Sequence, residues 1–278
     1  MKSISKTDQL STKRSLNING NLIDLSKPLI MGIVNMTPDS FYDGGNYNSK
    51  DKALKRIEKM VQNGASIIDI GGCSTRPGSE IVSIDEEWNR IKDIIRICSL
   101  KFNKIIISVD TFRSEIARRS LEEGASIIND VSGGSYDNKM FSVISEYKIP
   151  YVLMHIRGTP KNMMSKINYD NLIVDIMDYF IKKIEKLKLM NVNDIILDPG
   201  FGFAKDFDQN LELLKNLNFF TTFDLPILVG LSRKSFVKKK YGIKNSLNGT
   251  LELNKIALKN GADIIRVHDV KEHLKLIK

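Results

Sequence analysis

Cysteine is nearly absent from this 278-residue chain: Cys73 and Cys98 are the only two, with neither metal-ligand spacing nor a disulfide framework. That excludes a thiolate metal centre and a disulfide-stapled scaffold, and reduced thiols are expected. Long hydrophobic runs are also missing. No stretch approaches the roughly 18 apolar residues that a membrane-spanning helix requires. Residues 1–13 (MKSISKTDQLSTK) lack the apolar core of a signal peptide and read as a disordered polar leader before a single domain over 14–278. A cytoplasmic location follows as the expectation, with no membrane partner. There is no low-complexity stretch, and a hydrophobic fraction of 42% supports a sizeable core. The formal net charge of +9 raises the question of nucleic acid, but no basic stripe is interleaved with aromatics, so no nucleic-acid partner is expected. The densest basic cluster, Arg233, Lys234, Lys238, Lys239 and Lys240, reads as one functional lysine followed by a solvated helix face. The excess charge would instead attract a polyanionic small substrate.

What the chain does have is eight short apolar runs, nearly all ending in a polar residue. They are LIMGIVN (29–35), SIIDIGG (66–72), KIIISVD (104–110), SIIND (126–130), PYVLMH (150–155), DIILD (194–198), PILVGLSRK (226–234) and DIIRVH (263–268). Amphipathic stretches lie between most neighbours. This rhythm is that of an α/β (β/α)8 TIM barrel, with buried parallel strands each followed by a covering helix. In such a barrel the carboxyl ends of the strands converge on one mouth. Asn35, Asp110, Asn129, Asp198, Lys234, Arg266 and His268 stand at or near those ends and predict a polar pocket.

Residues 15–25 alternate around Asn19-Gly20-Asn21, an N-terminal β-hairpin signal placed to plug the barrel floor. Helices are expected from about 48–50 to Gly64, from a cap at Ser83 to about Leu100, and over 113–123, 137–147, 170–190, 208–217, 246–260 and 270–277. One word recurs three times: Asn63-Gly-Ala-Ser-Ile-Ile-Asp, Glu123-Gly-Ala-Ser-Ile-Ile-Asn and Asn260-Gly-Ala-Asp-Ile-Ile-Arg. Each ends a helix at Gly, turns tightly, and starts a strand that delivers a polar residue. Two strand-end connections, 35–45 and 71–78, exceed the 2–6 residues usual for a βα loop and read as substrate-covering segments.

MGIVNMTPDSFYDGG, DIGGCSTRPG, VDTFR, INDVSGG, MHIRGTP, DPGFGF, GLSRKS and RVHDV occur in the order found in dihydropteroate synthases, over about residues 29 to 270. The chain therefore resembles that pterin-binding family. The resemblance implies condensation of 6-hydroxymethyl-7,8-dihydropterin pyrophosphate with p-aminobenzoate to 7,8-dihydropteroate and pyrophosphate, in folate biosynthesis. It implies an SN1-like path, Mg2+ as cofactor, these two small molecules as partners, and a homodimer. On the pterin pyrophosphate side it assigns Thr75, Asp110, Asn129, Met154, Asp198, Phe203, Gly230, Lys234, Arg266 and His268. On the p-aminobenzoate side it assigns Phe41, Arg76, Pro77, Phe203 and Ser235, and for the metal Asn35. Lys234, Arg266, His268 and Asp43 are the expected catalytic residues.

The chemistry fits those residue types. A pterin's amino-pyrimidinone edge shows adjacent donors, which a buried carboxylate such as Asp198 can accept two at a time. Arg266 and His268 differ by two, so a strand would face both to one side, in the region where barrels commonly hold phosphate. A hard cation held by pyrophosphate, one side-chain oxygen and water suits Mg2+. His155 reads as structural, Asp69 and Asp130 as pins for loop backbones, and Trp88 and Tyr169 as packing. Cys73 departs from the family, which often has Glu there. Leu251-Glu-Leu-Asn is less rich in small residues than the family norm, so helix packing or a dimer contact there is expected to differ. The rival assignments are a methyltetrahydrofolate-dependent methyltransferase on the same barrel and a non-catalytic pterin-binding barrel.

Overall fold

The computed structural model describes residues 14–37, 46–74 and 82–277. The expected polar leader lies outside the described residues. Eight parallel strands form the barrel: β3 (Leu29–Asn35), β4 (Ile67–Gly71), β5 (Ile106–Asp110), β6 (Ile127–Asp130), β7 (Tyr151–Met154), β8 (Ile195–Asp198), β9 (Leu228–Val229) and β10 (Ile264–Val267). Each pairs with its chain neighbour, and β10 pairs with both β9 and β3. A parallel bridge between Leu197 and Ile227 closes the ring.

The strands are buried on both faces, yet the period-two alternation sorts them into different chemistry. Outward residues such as Ile30, Val34, Ile68, Ile70, Val109 and Ile265 join a large apolar cluster with the surrounding helices. The lowest inward layer, including Met31, Ile67, Ile127, Val152, Ile196, Leu228 and Ile264, forms a separate apolar cluster. Two residues further along, five of the eight strands turn polar inside: Asp69, Ser108, Asn129, Asp198 and Arg266. The barrel is thus a dry lower half beneath a charged upper half.

The dry half is closed by the predicted hairpin, β1 (Ser15–Ile18) and β2 (Asn21–Asp24), an antiparallel pair. Leu16, Ile18 and Leu25 are buried against the lowest barrel layer. Burying one such side chain contributes about 1.5–3 kcal/mol. Asp194 at the foot of β8 accepts the Asn17 backbone N–H at 2.8 Å, and Arg14 pairs with Asp263 at 3.0 Å, tying the hairpin to the barrel's underside.

The helices fall close to their expected positions: α1 (Asn46–Gln62), α2 (Ile84–Lys101), α3 (Ser114–Glu122), α4 (Met140–Tyr147), α5 (Leu172–Leu189), α6 (Phe207–Lys215), α7 (Ser235–Tyr241), α8 (Ser246–Lys259) and α9 (Val270–Ile277). Ser83 caps α2 by accepting the Glu86 N–H at 3.2 Å. α4 starts later than its pattern indicated, because Asp137 is spent on the Ser114 and Lys139 backbone N–H groups. α7 carries Lys238, Lys239 and Lys240 in its last turn, so the basic run is a helix face with Lys234 at its N-cap. Both cysteines are unpaired thiols, as expected, and burial raises both; Cys98 is pushed up to about 11.

Candidate active site

The recurring sequence word builds the centre of the charged half. Its three copies begin β4, β6 and β10, and their final residues are Asp69, Asn129 and Arg266. These three meet inside the barrel. Asn129 Nδ2 donates to Asp69 Oδ2 at 3.0 Å, and Arg266 Nε donates to the same oxygen at 2.6 Å. Ser108 Oγ donates to Asp69 Oδ1 at 2.6 Å, and Arg266 donates a further bond to Asp110 Oδ2 at 2.7 Å. Asp69 is fully buried and its carboxylate accepts from three side chains. It does not pin loop backbone, as the sequence indicated; it orients Asn129 and Arg266. Asp130 does pin a loop, accepting the Ser132 and Gly134 N–H groups, while Tyr151 donates to it at 2.7 Å.

Buried opposite charges leave several groups strongly perturbed. Burial pushes Asp110 up to about 7, against the pull of Arg266, with Asp69 adding to the rise. Burial brings Lys234 down to about 8 although Asp198 opposes the shift. Asp198 is also raised by burial, with Lys234 acting against it. Burial works against Arg266, but Asp69 and Asp110 outweigh it and hold the guanidinium above its ordinary value. Clustered shifts of this kind in a concave site mark a binding or catalytic centre.

The loop after β8 forms one side. Asp198 Oδ1 accepts the Gly200 N–H at 2.8 Å, and Gly202 N–H donates to Asn210 Oδ1 at 2.7 Å. Gly200 and Gly202 have φ of +75° and +74°, and a Cβ on Gly202 would meet Lys234 Cδ at 2.7 Å. Only glycine lets the lysine lie across the loop. Lys234 Nζ donates to the Phe201 carbonyl and stands 4.2 Å from the centre of the Phe203 ring. Met154 and Phe203 belong to one small apolar cluster with Val131, Ile156 and Met163. At Gly230 a Cβ would meet nothing nearer than Arg266 Cβ at 3.9 Å, so the backbone there is not crowded.

The structure therefore brings together Asp110, Asn129, Asp198, Lys234 and Arg266, with Met154, Phe203 and Gly230 around them. His268 lies one residue past β10, and its Nδ1 pairs with Ser232 Oγ at 2.9 Å. Asn35 ends β3 beside Gly71, and Ser235 is exposed at the first turn of α7. Phe41, Asp43, Thr75, Arg76 and Pro77 lie outside the described residues. Arg90 donates to the Gly72 carbonyl at 2.8 Å and Arg113 donates to the Val82 carbonyl. Both arginines pair with acids of α2, Glu86 and the fully buried Glu87.

Two roles were not anticipated. His155 is buried, as a structural histidine would be, but its Nδ1 lies 3.0 Å from Lys205 Nζ. Lys205 itself is 3% exposed, which no sequence pattern marked. Tyr169 also does more than pack, since its hydroxyl donates to the Ala204 carbonyl at 2.8 Å.

Such a polar centre at the strand ends of a closed parallel barrel defines a small-molecule enzyme of the TIM-barrel class. Residues 31–268 match the pterin binding enzyme family, and the chain belongs to it. A Synechocystis sp. dihydropteroate synthase is 42% identical over 283 residues, covering 99% of this chain and 98% of its own. A Yersinia pestis dihydropteroate synthase, solved in a sulfonamide drug complex, is 40% identical with a TM-score of 0.89, covering 95% of this chain and 97% of its own. The Xanthomonas albilineans dihydropteroate synthase, solved with 4-aminobenzoic acid, superposes with a TM-score of 0.89 at 31% identity, covering 96% of each chain.

Proposed function

We propose that the chain is a dihydropteroate synthase, joining 6-hydroxymethyl-7,8-dihydropterin pyrophosphate to p-aminobenzoate with loss of pyrophosphate. The observation that carries this is the set of buried Asn129 and Asp198 with half-buried Asp110, Lys234 and Arg266 at the strand ends of a chain in the pterin-binding family. Asp198 keeps one oxygen on Gly200 N–H and offers its remaining lone pairs to the adjacent donors of the pterin edge. Asn129, with its amide nitrogen on Asp69, presents its carbonyl to a ring N–H. Lys234 donates to the O4 and N5 side of the ring, and Phe203, Met154 and Gly230 flank its flat faces.

The reacting bond joins the exocyclic methylene to the pyrophosphate oxygen. As it breaks, negative charge grows on the leaving group and positive charge on the pterin. Arg266, His268 and Thr75 stabilise the first; Asp43 stabilises the second. The p-aminobenzoate amine, placed by Phe41, Arg76, Pro77, Phe203 and Ser235, then forms the C–N bond and releases its proton to solvent. No covalent enzyme intermediate is required.

Magnesium fits the donor set in one way only. Among the described residues no three His, Cys, Asp or Glu side chains group to hold a metal, so a protein cage is excluded there. Asn35 offers one hard oxygen, which suits an ion held chiefly by pyrophosphate and water. When bound, Mg2+ would neutralise charge on the departing pyrophosphate. A homodimer and residence in the cytoplasm belong to the same proposal, on the family resemblance; among the described residues no helix is long and apolar enough to cross a membrane. The test is an assay of purified protein with dihydropterin pyrophosphate, p-aminobenzoate and Mg2+, following pyrophosphate and dihydropteroate together. Equal amounts of both products are expected. Pyrophosphate release that does not depend on p-aminobenzoate, with no dihydropteroate, would overturn the assignment.

A further inference from the structure

Beneath the loop after β8 lies a lysine that the catalytic scheme does not use. Lys205 Nζ is within 3.0 Å of the Gly200 carbonyl, 3.1 Å of the Phe203 carbonyl and 3.0 Å of His155 Nδ1. Among the described residues no carboxylate makes a direct bond with it. A lysine is rarely buried without such a partner, because desolvating the ammonium is costly. Here three acceptors meet the three protons of one ammonium group, and two of them, the Gly200 and Phe203 carbonyls, belong to the loop that forms the pterin wall.

Both neighbours of the pair are fixed in turn. His155 N–H donates to the Asp198 carbonyl at 2.9 Å, and the imidazole meets the Tyr179 ring edge to face with centroids 5.0 Å apart. Tyr179 donates to the Met154 carbonyl at 2.9 Å. Lys205 offers its own carbonyl to Asn210 Nδ2 at 3.1 Å, and that same amide holds Gly202. The loop from Asp198 to Lys205 thus turns around the ammonium group. Its tip supplies the Phe203 ring and the Phe201 carbonyl that receive Lys234.

We infer that Lys205 is a positioning residue for the pterin end of the site: with His155 it sets the 200–203 turn so that Phe203 and Lys234 face the ring, and it places a positive charge beside Asp198. The inference rests on the pterin-binding assignment made above. Burial drives the Lys205 pKa well down and Asp198 draws it back up, with Lys234 and Arg157 opposing. On Asp198 the cations Lys234, Arg266 and Lys205 all act to keep the carboxylate ionised against its burial. His155 is pushed far below its usual range by burial and by Lys205, so the imidazole stays neutral, and in the Nε2–H tautomer its Nδ1 accepts from the ammonium.

The experiment compares K205M and K205R with the unaltered enzyme. Binding of a dihydropterin lacking pyrophosphate is titrated from pH 5 to 8, alongside KM for p-aminobenzoate and thermal melting. With K205M, pterin affinity should fall about 10- to 100-fold, by analogy with removal of an outer partner of a metal ligand. The p-aminobenzoate KM should change less than pterin affinity, because of its assigned contacts only Phe203 lies on that turn. The acid limb of pterin binding should move to higher pH, since Asp198 loses a cation, and K205R should restore the limb. A purely structural lysine would lower the melting temperature and leave pterin affinity and its pH limb unmoved; that result overturns the inference. Should neither variant fold, the unaltered enzyme decides: the chain has three histidines, so 15N-histidine labelling resolves them. His155 should remain in the Nε2–H form across the same pH range, accepting through Nδ1. A proton on Nδ1 would mean a neutral amine and refute the ammonium arrangement. A dihydropteroate assay run beside the binding data keeps failure of this role separate from failure of the functional assignment.

Discussion

Replacing Asp198 by Asn changes one charge and almost no volume, so its effect isolates recognition of the pterin edge. The side chain is 8% exposed, and water cannot stand in for lost acceptor capacity. Its Oδ1 accepts the Gly200 N–H at 2.8 Å, a bond that an asparagine preserves by keeping its oxygen there. The amide NH2 then occupies the second oxygen's position and points donors at the donors of the pterin. Hydrogen bonds to a charged acceptor contribute about 1.5–3 kcal/mol each, and an unpaired buried donor costs about 1–3 kcal/mol. Allowing for partial rearrangement, the net loss should be about 2–4 kcal/mol, or about 30- to 1,000-fold in affinity. Calorimetric titration with a dihydropterin measures this, and thermal melting confirms that the variant is folded. The p-aminobenzoate KM at saturating pterin should change far less. Unchanged pterin affinity in a folded D198N protein would remove Asp198 from the pocket and refute the donor–acceptor match.

Arg266→Ala should lower turnover by roughly 100-fold or more, as loss of a charge-stabilising contact in a transition state does; pterin binding without pyrophosphate should be affected much less, and near-normal turnover would exclude Arg266 from leaving-group stabilisation. The pH profile of kcat/KM for the pterin substrate should be a narrow bell. It should rise as Asp110 ionises near 7 and fall as Lys234 loses its proton near 8. K234R should carry the alkaline limb upward, and a flat profile between pH 6 and 9 would contradict both assignments. p-Aminobenzoate should bind weakly to free enzyme and more tightly with pyrophosphate and Mg2+ present; equal affinity in the two conditions, by calorimetry, would count against assembly of the site by the leaving group.

The barrel was legible because a strand buried on both faces must be short, apolar and β-branched, and eight such runs leave few other arrangements. Most of the pterin-side set was legible for the same reason, since a polar residue ending an apolar run has only the mouth to face. Asp69 was misjudged although the signal was present. It ends the first copy of the recurring word just as Asn129 and Arg266 end the others, and equal position in the word means equal height in the barrel. Lys205 gave no signal. A lysine following a Gly-rich loop ordinarily points to water, and its burial depends on carbonyls from a turn whose shape only the folded backbone reveals. The start of α4 was misplaced because local bonds from Asp137 compete with helix formation, and propensity does not weigh them.

The plugged floor has a kinetic meaning. Leu16, Ile18 and Leu25 are buried against the lowest barrel layer and close that end, so among the described residues the strand-end site is a well reached from the mouth. A well of that shape imposes a queue on its occupants. On the proposed function the pterin, held deepest, would enter first, and nothing would depart beneath a second molecule resting across the opening. A p-aminobenzoate mimic that takes the outer berth therefore locks the pterin below it and binds best when the well is already occupied. Its inhibition should deepen as pterin substrate is raised, an uncompetitive pattern dictated by a hairpin at the far end of the barrel.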